Sequence, residues 1–185
     1  MTYAPFNNTD AVGVTKEFAK KNNIYSMEDF ARYVNEGGTV KMIMPEYWAT
    51  LPTGLPGMEQ AYGFKLKENQ YRAGVDHGEQ MLYEGTDGIN VIMLYSSSGL
   101  INEYEIQVLE DPKKVSPVYS PAPIIRKEVL EKYPDIQEIL DKVFKSITLE
   151  EMIKMNAELQ VNGKSGQEIA ENYLLSKGLI KKNEK

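Results

Sequence analysis

Apolar and polar positions in the first 110 residues follow two different periods. Short, nearly continuous apolar runs typical of buried strands occur at Asp10 to Val14, Val40 to Met44 and Ile89 to Tyr95, and Phe64 to Arg72 is predicted as a fourth strand. Helical spacing predicts helices over Thr15 to Asn22, Ser26 to about Glu36, Met58 to Tyr62 and His77 to Glu84. Strands that alternate with helices in this way predict an α/β sheet.

The pattern changes near Asp111, where the strand signals end. A proline-rich stretch follows, with Pro112, Pro117, Pro121 and Pro123. Beyond it the spacing is helical, and the predicted helices are Arg126 to Tyr133, Asp135 to Val143, Thr148 to Val161 and Ser165 to Lys177. We therefore predict two segments: residues 1–116 form an α/β lobe, and residues 117–185 form a crossing segment with C-terminal helices.

Composition favours binding over catalysis. The 21 basic against 27 acidic residues give a net charge of −6 without a basic stripe, which argues against a nucleic-acid partner. Cysteine is absent and His77 is the only histidine, so thiol nucleophiles are excluded and a His-based metal cluster is disfavoured. No Gly-rich phosphate loop or nucleophile elbow occurs, and no run approaches 18 apolar residues. We predict no catalytic residue, metal site or cofactor.

Several short motifs occur in a consistent order along the chain. The string YSPAPIIR spans Tyr119 to Arg126, the motif NNT spans Asn7 to Thr9, and GLPG spans Gly54 to Gly57. The tail adds LEEM at Leu149 to Met152 and VNGK at Val161 to Lys164. Together these motifs resemble the substrate-binding proteins of ABC transporters for glycine betaine, carnitine and choline.

This resemblance implies a fold and a function. The fold is one lobe of a type II periplasmic-binding-protein-like fold, followed by C-terminal helices that would pack on a first lobe whose N-terminal part we expect to be missing here. The function is to bind a small quaternary-ammonium solute and deliver it to an ABC permease subunit, without enzymatic chemistry. The implied location is extracytoplasmic, with membrane association only through a missing anchor or a fused permease. The alternative is a ligand-sensing or regulatory module on the same fold.

The implied site is an aromatic cage. A methylated nitrogen has no N–H to donate, so proteins surround such a cation with aromatic faces. Two positions match the tyrosines that build the cage in the family: Tyr95 at the end of the Ile89 to Leu94 run, and Tyr119 in the crossing segment. The alternative for each is a ring that packs at a strand end or a hinge.

Two departures from the family pattern bear on the solute. Asp10 follows the NNT motif, where many relatives carry a tyrosine, and it either neutralises a cationic ligand or is an exposed turn acceptor. The arginine that clamps a ligand carboxylate in betaine-binding members is absent before Gly54, although Arg72 or a residue of the missing segment could supply the clamp. These departures favour a cation without a carboxylate, such as choline. Trp48 is expected to pack rather than to close over the ligand.

Overall fold

The computed structural model describes residues 2–75 and 78–181. Its five strands are β1 (Asp10–Thr15), β2 (Met42–Ile43), β3 (Tyr71–Arg72), β4 (Val91–Tyr95) and β5 (Ile106–Val108). The helices before the crossing are α1 (Lys16–Asn22), α2 (Met27–Asn35), α3 (Glu46–Thr50), α4 (Leu55–Tyr62), α5 (Gly78–Glu84) and α6 (Leu100–Glu103). Those after it are α7 (Lys127–Lys132), α8 (Ile136–Ser146), α9 (Leu149–Gln160) and α10 (Gly166–Ser176).

The strands form one mixed sheet in the order β3-β2-β4-β1-β5. β2 runs parallel to both β3 and β4, whereas β1 runs antiparallel to both β4 and β5. Because of this arrangement, β1 begins at the edge of the sheet where β2 and β4 end. The mixed sheet with its helices confirms the predicted α/β class.

The core lies on both faces of the sheet, as the two-residue period of a strand requires. Val12 and Val14 of β1 point into a cluster that includes Phe30 of α2 and Met58 of α4. Ala11 and β4 residues such as Ile92 belong to the cluster on the opposite face. All buried residues of both clusters precede residue 110.

Some predicted elements are corrected. Phe64 to Arg72 is not one strand: only Tyr71–Arg72 pairs, after a 3-10 turn at Glu68–Gln70. Phe64 and Leu66 are buried in the core without ladder pairing, so their apolar character reflects packing of a loop. The predicted Val40 to Met44 strand shortens to Met42–Ile43, and α3, α6 and β5 form where no element was expected.

The four helices after the crossing form within a few residues of their predicted bounds. Thr148 caps α9 through a reciprocal capping box with Glu151. Among the described residues that follow Ser116, none is buried, and apolar side chains such as Ile139 and Leu159 are more than half exposed. The division at residues 116 and 117 stays a prediction. No helix in residues 2–75 and 78–181 has both the length and the apolar character needed to span a membrane.

Candidate functional site

Three polar or aromatic side chains meet at the sheet edge where β2 and β4 end and β1 begins. Asp10 is the first residue of β1, and it lies directly opposite Tyr95, the last residue of β4. Tyr47 belongs to α3, the short helix that follows β2. Parallel strands end at the same edge of a sheet, so the segment after β2 lies beside the end of β4.

Hydrogen bonds join the three residues. The Tyr47 hydroxyl donates to Asp10 Oδ1 at 3.1 Å, and the hydroxyls of Tyr47 and Tyr95 are 3.3 Å apart. Asp10 is only 5% exposed, whereas Tyr47 and Tyr95 are 42% and 48% exposed. We call these residues the Asp–Tyr wall: a buried carboxylate beside two rings that remain open to solvent.

The electrostatics of the wall are set by a carboxylate without a basic partner. Burial raises the pKa of Asp10, and the hydrogen bond from Tyr47 opposes this shift. Burial also raises the pKa of Tyr47, with further contributions from the Tyr95 hydrogen bond and the negative charge of Asp10. Tyr47 therefore stays a hydrogen-bond donor at neutral pH. Within residues 2–75 and 78–181, no lysine or arginine forms an ion pair with Asp10.

A cavity of about 340 Å³ opens beside Asp10. Its apolar wall includes Val12 of β1, Met27 of α2 and Met58 of α4. Asp111, three residues after the end of β5, contributes a second carboxylate. Both oxygens of Asp111 accept a hydrogen bond, from the Tyr62 hydroxyl and the Ser116 backbone N–H, whereas Tyr47 donates to Oδ1 of Asp10.

The backbone of Tyr119 is hydrogen-bonded to the segment that leads into β1. Its N–H donates to Asn7 Oδ1 at 2.6 Å, and its carbonyl accepts from the Asn8 N–H at 3.0 Å. The ring is 48% exposed and does not take part in the hydrogen bonds of the Asp–Tyr wall. The convergence of Tyr119 and Tyr95 on a shared cation stays a prediction.

The other sequence candidates have different fates. Trp48 is fully buried in the core, which confirms the packing interpretation. Arg72 is on strand β3, which is separated from β4 by β2 in the sheet order. Its guanidinium lies 3.7 Å from a carboxylate oxygen of Asp87. Asp76 and His77 lie outside the described residues, so the prediction that a helix begins at His77 is not tested.

Sequence reasoning missed Tyr47 as a site residue. The prolines and glycines between Pro45 and Gly57 are typical of a loop, and a five-residue helix is too short to show a period. One signal was available: Tyr47 lies three residues after the Val40 to Met44 run, and residues that follow parallel strands gather at one edge of the sheet.

Comparison with known proteins gives the family. A family model described as the substrate-binding domain of an ABC-type glycine betaine transport system matches residues 1–176. This chain belongs to that family. The match confirms the resemblance drawn from the YSPAPIIR, NNT and GLPG motifs.

Relatives and solved structures agree with this membership. The glycine betaine-binding protein YehZ of Escherichia coli is 36% identical over 98% of this chain, which spans 61% of that protein. A structure of apo YehZ superposes with a TM-score of 0.77 at 35% identity, over 97% of this chain and 66% of the other. A structure described as a glycine betaine/carnitine/choline ABC transporter gives a TM-score of 0.82 at 27% identity, over 97% and 64%. The predicted fold of the periplasmic-binding-protein type is confirmed, and the chain spans less than two thirds of the relatives it matches.

Proposed function

We propose that this chain contributes to the solute-binding site of an ABC importer for a small quaternary-ammonium solute. The observation that carries the proposal is the Asp–Tyr wall, in which a buried carboxylate that forms no ion pair within the described residues lies beside two half-exposed tyrosine rings. The names of the relatives, which include a glycine betaine-binding protein, support the same class of solute.

The chemistry of the wall suits a methylated cation. Such a cation cannot donate a hydrogen bond, and it is attracted to the face of a tyrosine ring within about 6 Å of the ring centre. A buried carboxylate costs free energy unless a positive charge or hydrogen bonds compensate it. A cation bound against Tyr47 and Tyr95 would supply that charge to Asp10, so the solute and the wall stabilise each other.

The charges of the wall favour a solute that is a net cation. Glycine betaine and carnitine carry a carboxylate, which Asp10 would repel and which needs a donor such as arginine. Arg72 is paired with Asp87, and no other arginine is placed at the wall in the described part of the chain. We therefore propose that choline binds more tightly than glycine betaine.

The partner and location follow from the family. A substrate-binding domain of an ABC importer works on the outer side of the cytoplasmic membrane, where it passes the solute to a permease subunit. We propose this extracytoplasmic location and this partner for the present chain, with no catalytic turnover of the solute. Closure of two lobes around the solute would bury it and produce the form that docks on the permease.

The proposal is tested by NMR titration of the tyrosine ring resonances with choline, glycine betaine and carnitine. We expect choline to bind most tightly, and Tyr95→Ala to weaken choline binding by about 0.5–1 kcal/mol, the value of an exposed cation–π contact. Tyr83→Ala is the matched control, because Tyr83 is also exposed but stacks on Tyr104 with a centroid distance of 5.0 Å. Equal losses in both variants, or tighter binding of glycine betaine, would contradict the proposal.

A further inference from the structure

The turn that follows Tyr95 is held from several directions at once. Residues 96–99, which we call the serine turn, connect β4 to α6. The N–H of Ser98 donates to the carbonyl of Tyr95 at 2.9 Å, so the turn closes on Tyr95 itself. Ser97, Ser98 and Gly99 are buried although they follow a half-exposed ring.

The first attachment comes from the segment that leads into β1. Ser96 Oγ donates to the Asn7 carbonyl at 2.9 Å and accepts from the Thr9 N–H at 3.0 Å. The Ser97 hydroxyl donates to the side-chain oxygen of Asn8. These bonds fix the turn next to the residue that precedes Asp10.

The second attachment comes from α9, which lies beyond the crossing segment. Asn156 Nδ2 donates to the Ser97 carbonyl at 2.7 Å, and Gln160 Oε1 accepts from the Gly99 N–H at 2.8 Å. The approach of the two backbones is close, since a Cβ added to Gly99 would lie 2.2 Å from the Ala157 nitrogen. Only glycine fits at this contact without a shift of the helix or the turn.

These contacts connect α9 to the Asp–Tyr wall, because the serine turn that α9 holds follows Tyr95. The serine turn follows Tyr95 directly in the chain, and α9 holds its Ser97 carbonyl and its Gly99 N–H. A side-chain ring at the end of a strand is otherwise free to move with its loop. We infer that Asn156 is a positioning residue, which holds the serine turn so that the Tyr95 ring stays at hydrogen-bonding distance from Tyr47. This inference takes Tyr95 as part of the solute wall and in that respect rests on the proposed function.

The first test needs no solute. Ring carbon–proton resonances of the labelled tyrosines are recorded for the wild-type chain, Asn156→Ala, Gly99→Ala and Lys154→Ala. Lys154 is the matched control because it lies on α9 and its ammonium group pairs with Glu150 at the surface. We expect the Tyr95 and Tyr47 resonances to move in Asn156→Ala and Gly99→Ala but not in Lys154→Ala, while Tyr83 stays unchanged in all three.

The buried members of both core clusters precede residue 110, so Asn156→Ala and Lys154→Ala, which lie beyond it, are expected to remain folded. Tyr95 and Tyr47 resonances that coincide with the wild type in both Asn156→Ala and Gly99→Ala would overturn the inference. So would an equal movement of every tyrosine, because that reports a general structural change.

The second test is a double-mutant cycle with choline. Contacting residues commonly show interaction energies that correspond to a roughly twofold or larger change in affinity. We expect Asn156→Ala to lower choline affinity about two- to tenfold in the wild type and to have no effect in a Tyr95→Ala background. Equal losses in both backgrounds would overturn the positioning role. If the wild-type chain does not bind choline, the proposed function fails, and the solute-free test still decides the role of Asn156.

Discussion

Asp10 is a buried carboxylate whose hydrogen-bond partner is a tyrosine hydroxyl rather than a cation. The pKa of Asp10 is raised above its ordinary value of 3.8 because burial penalises the charged form. The folded state therefore binds the proton more tightly than the unfolded state does. The contribution of Asp10 to the free energy of unfolding falls as pH rises from about 3.8 through the raised pKa, and it stays at its lower value at neutral pH.

This argument predicts the stability of Asp10→Asn. The amide keeps an oxygen that can accept from Tyr47 but carries no charge to desolvate. We expect the variant to be at least as stable as the wild type at pH 7, with the difference shrinking as pH falls toward 4. Urea unfolding at a series of pH values measures it. If Asp10→Asn is less stable than the wild type at pH 7 but not at pH 4, the charged form of Asp10 stabilises the fold, and the argument is wrong.

Residue-scale prediction from sequence worked where a residue stood at the end of a recognisable strand. Asp10 begins one clear apolar run and Tyr95 ends another, so their proximity could be anticipated if the two strands were taken to be neighbours. Their register could not be, because pairing depends on tertiary contacts that a single sequence does not show. Asp10 could also not be assigned a buried or exposed state, since that depends on Tyr47 covering it.

At the scale of elements, β1 is the strand on which the sheet depends. It pairs with β4 on one side and β5 on the other, and Gly13 lies at its centre. A Cβ added there would be 2.7 Å from Leu94 and 2.9 Å from Ile106. The absence of a side chain at this position lets residues of the neighbouring strands meet above β1.

We expect Gly13→Ala to lower the free energy of unfolding by about 1–3 kcal/mol, the usual cost of overpacking a core. Gly166→Ala is the control, since Gly166 begins α10 with no atom within 4 Å of an added Cβ, and it should be neutral or slightly stabilising. Urea denaturation compares the two variants. Equal midpoints for Gly13→Ala and the wild type would mean that the strands relax around the methyl group.

Elements were predictable from sequence where they were long enough to show several repeats of their period. Helix α2 has a capping box at Ser26 and Asp29, and α8 to α10 each show several turns of helical spacing, so their bounds were close. β5 was missed because three residues are too few to show alternation. Phe64 and Leu66 were assigned to a strand because a sequence shows that residues are apolar but not whether their backbone pairs; both are buried without pairing.

At the scale of the whole molecule, the apolar clusters and the C-terminal helices are unequally distributed. Both clusters are built before residue 110, and the helices after the crossing contribute only partly buried residues such as Ile153. The proline-rich crossing marks this change in the sequence, and the division into two segments stays a prediction. How α9 contacts the serine turn could not be predicted, because the contact depends on a glycine and two amides without a characteristic pattern.

The affinity of the chain should be modest. An exposed cation–π contact contributes about 0.5–1 kcal/mol, and micromolar binding requires about −8 kcal/mol. The rings of Tyr47 and Tyr95 are about half exposed, so a solute bound to them keeps one side in water. We expect dissociation constants near the millimolar range for the chain, and much tighter binding when a second lobe covers the solute.

The central claim, that the Asp–Tyr wall binds a solute through its positive charge, is tested most directly by comparing choline with its carbon isostere. In that neutral alcohol a carbon replaces the nitrogen, so shape is kept and charge is lost. We predict that choline shifts the Tyr47 and Tyr95 ring resonances at concentrations where the isostere does not, and that Asp10→Asn removes most of this difference. Equal titration curves for the two compounds, or shifts confined to other tyrosines, would contradict the account.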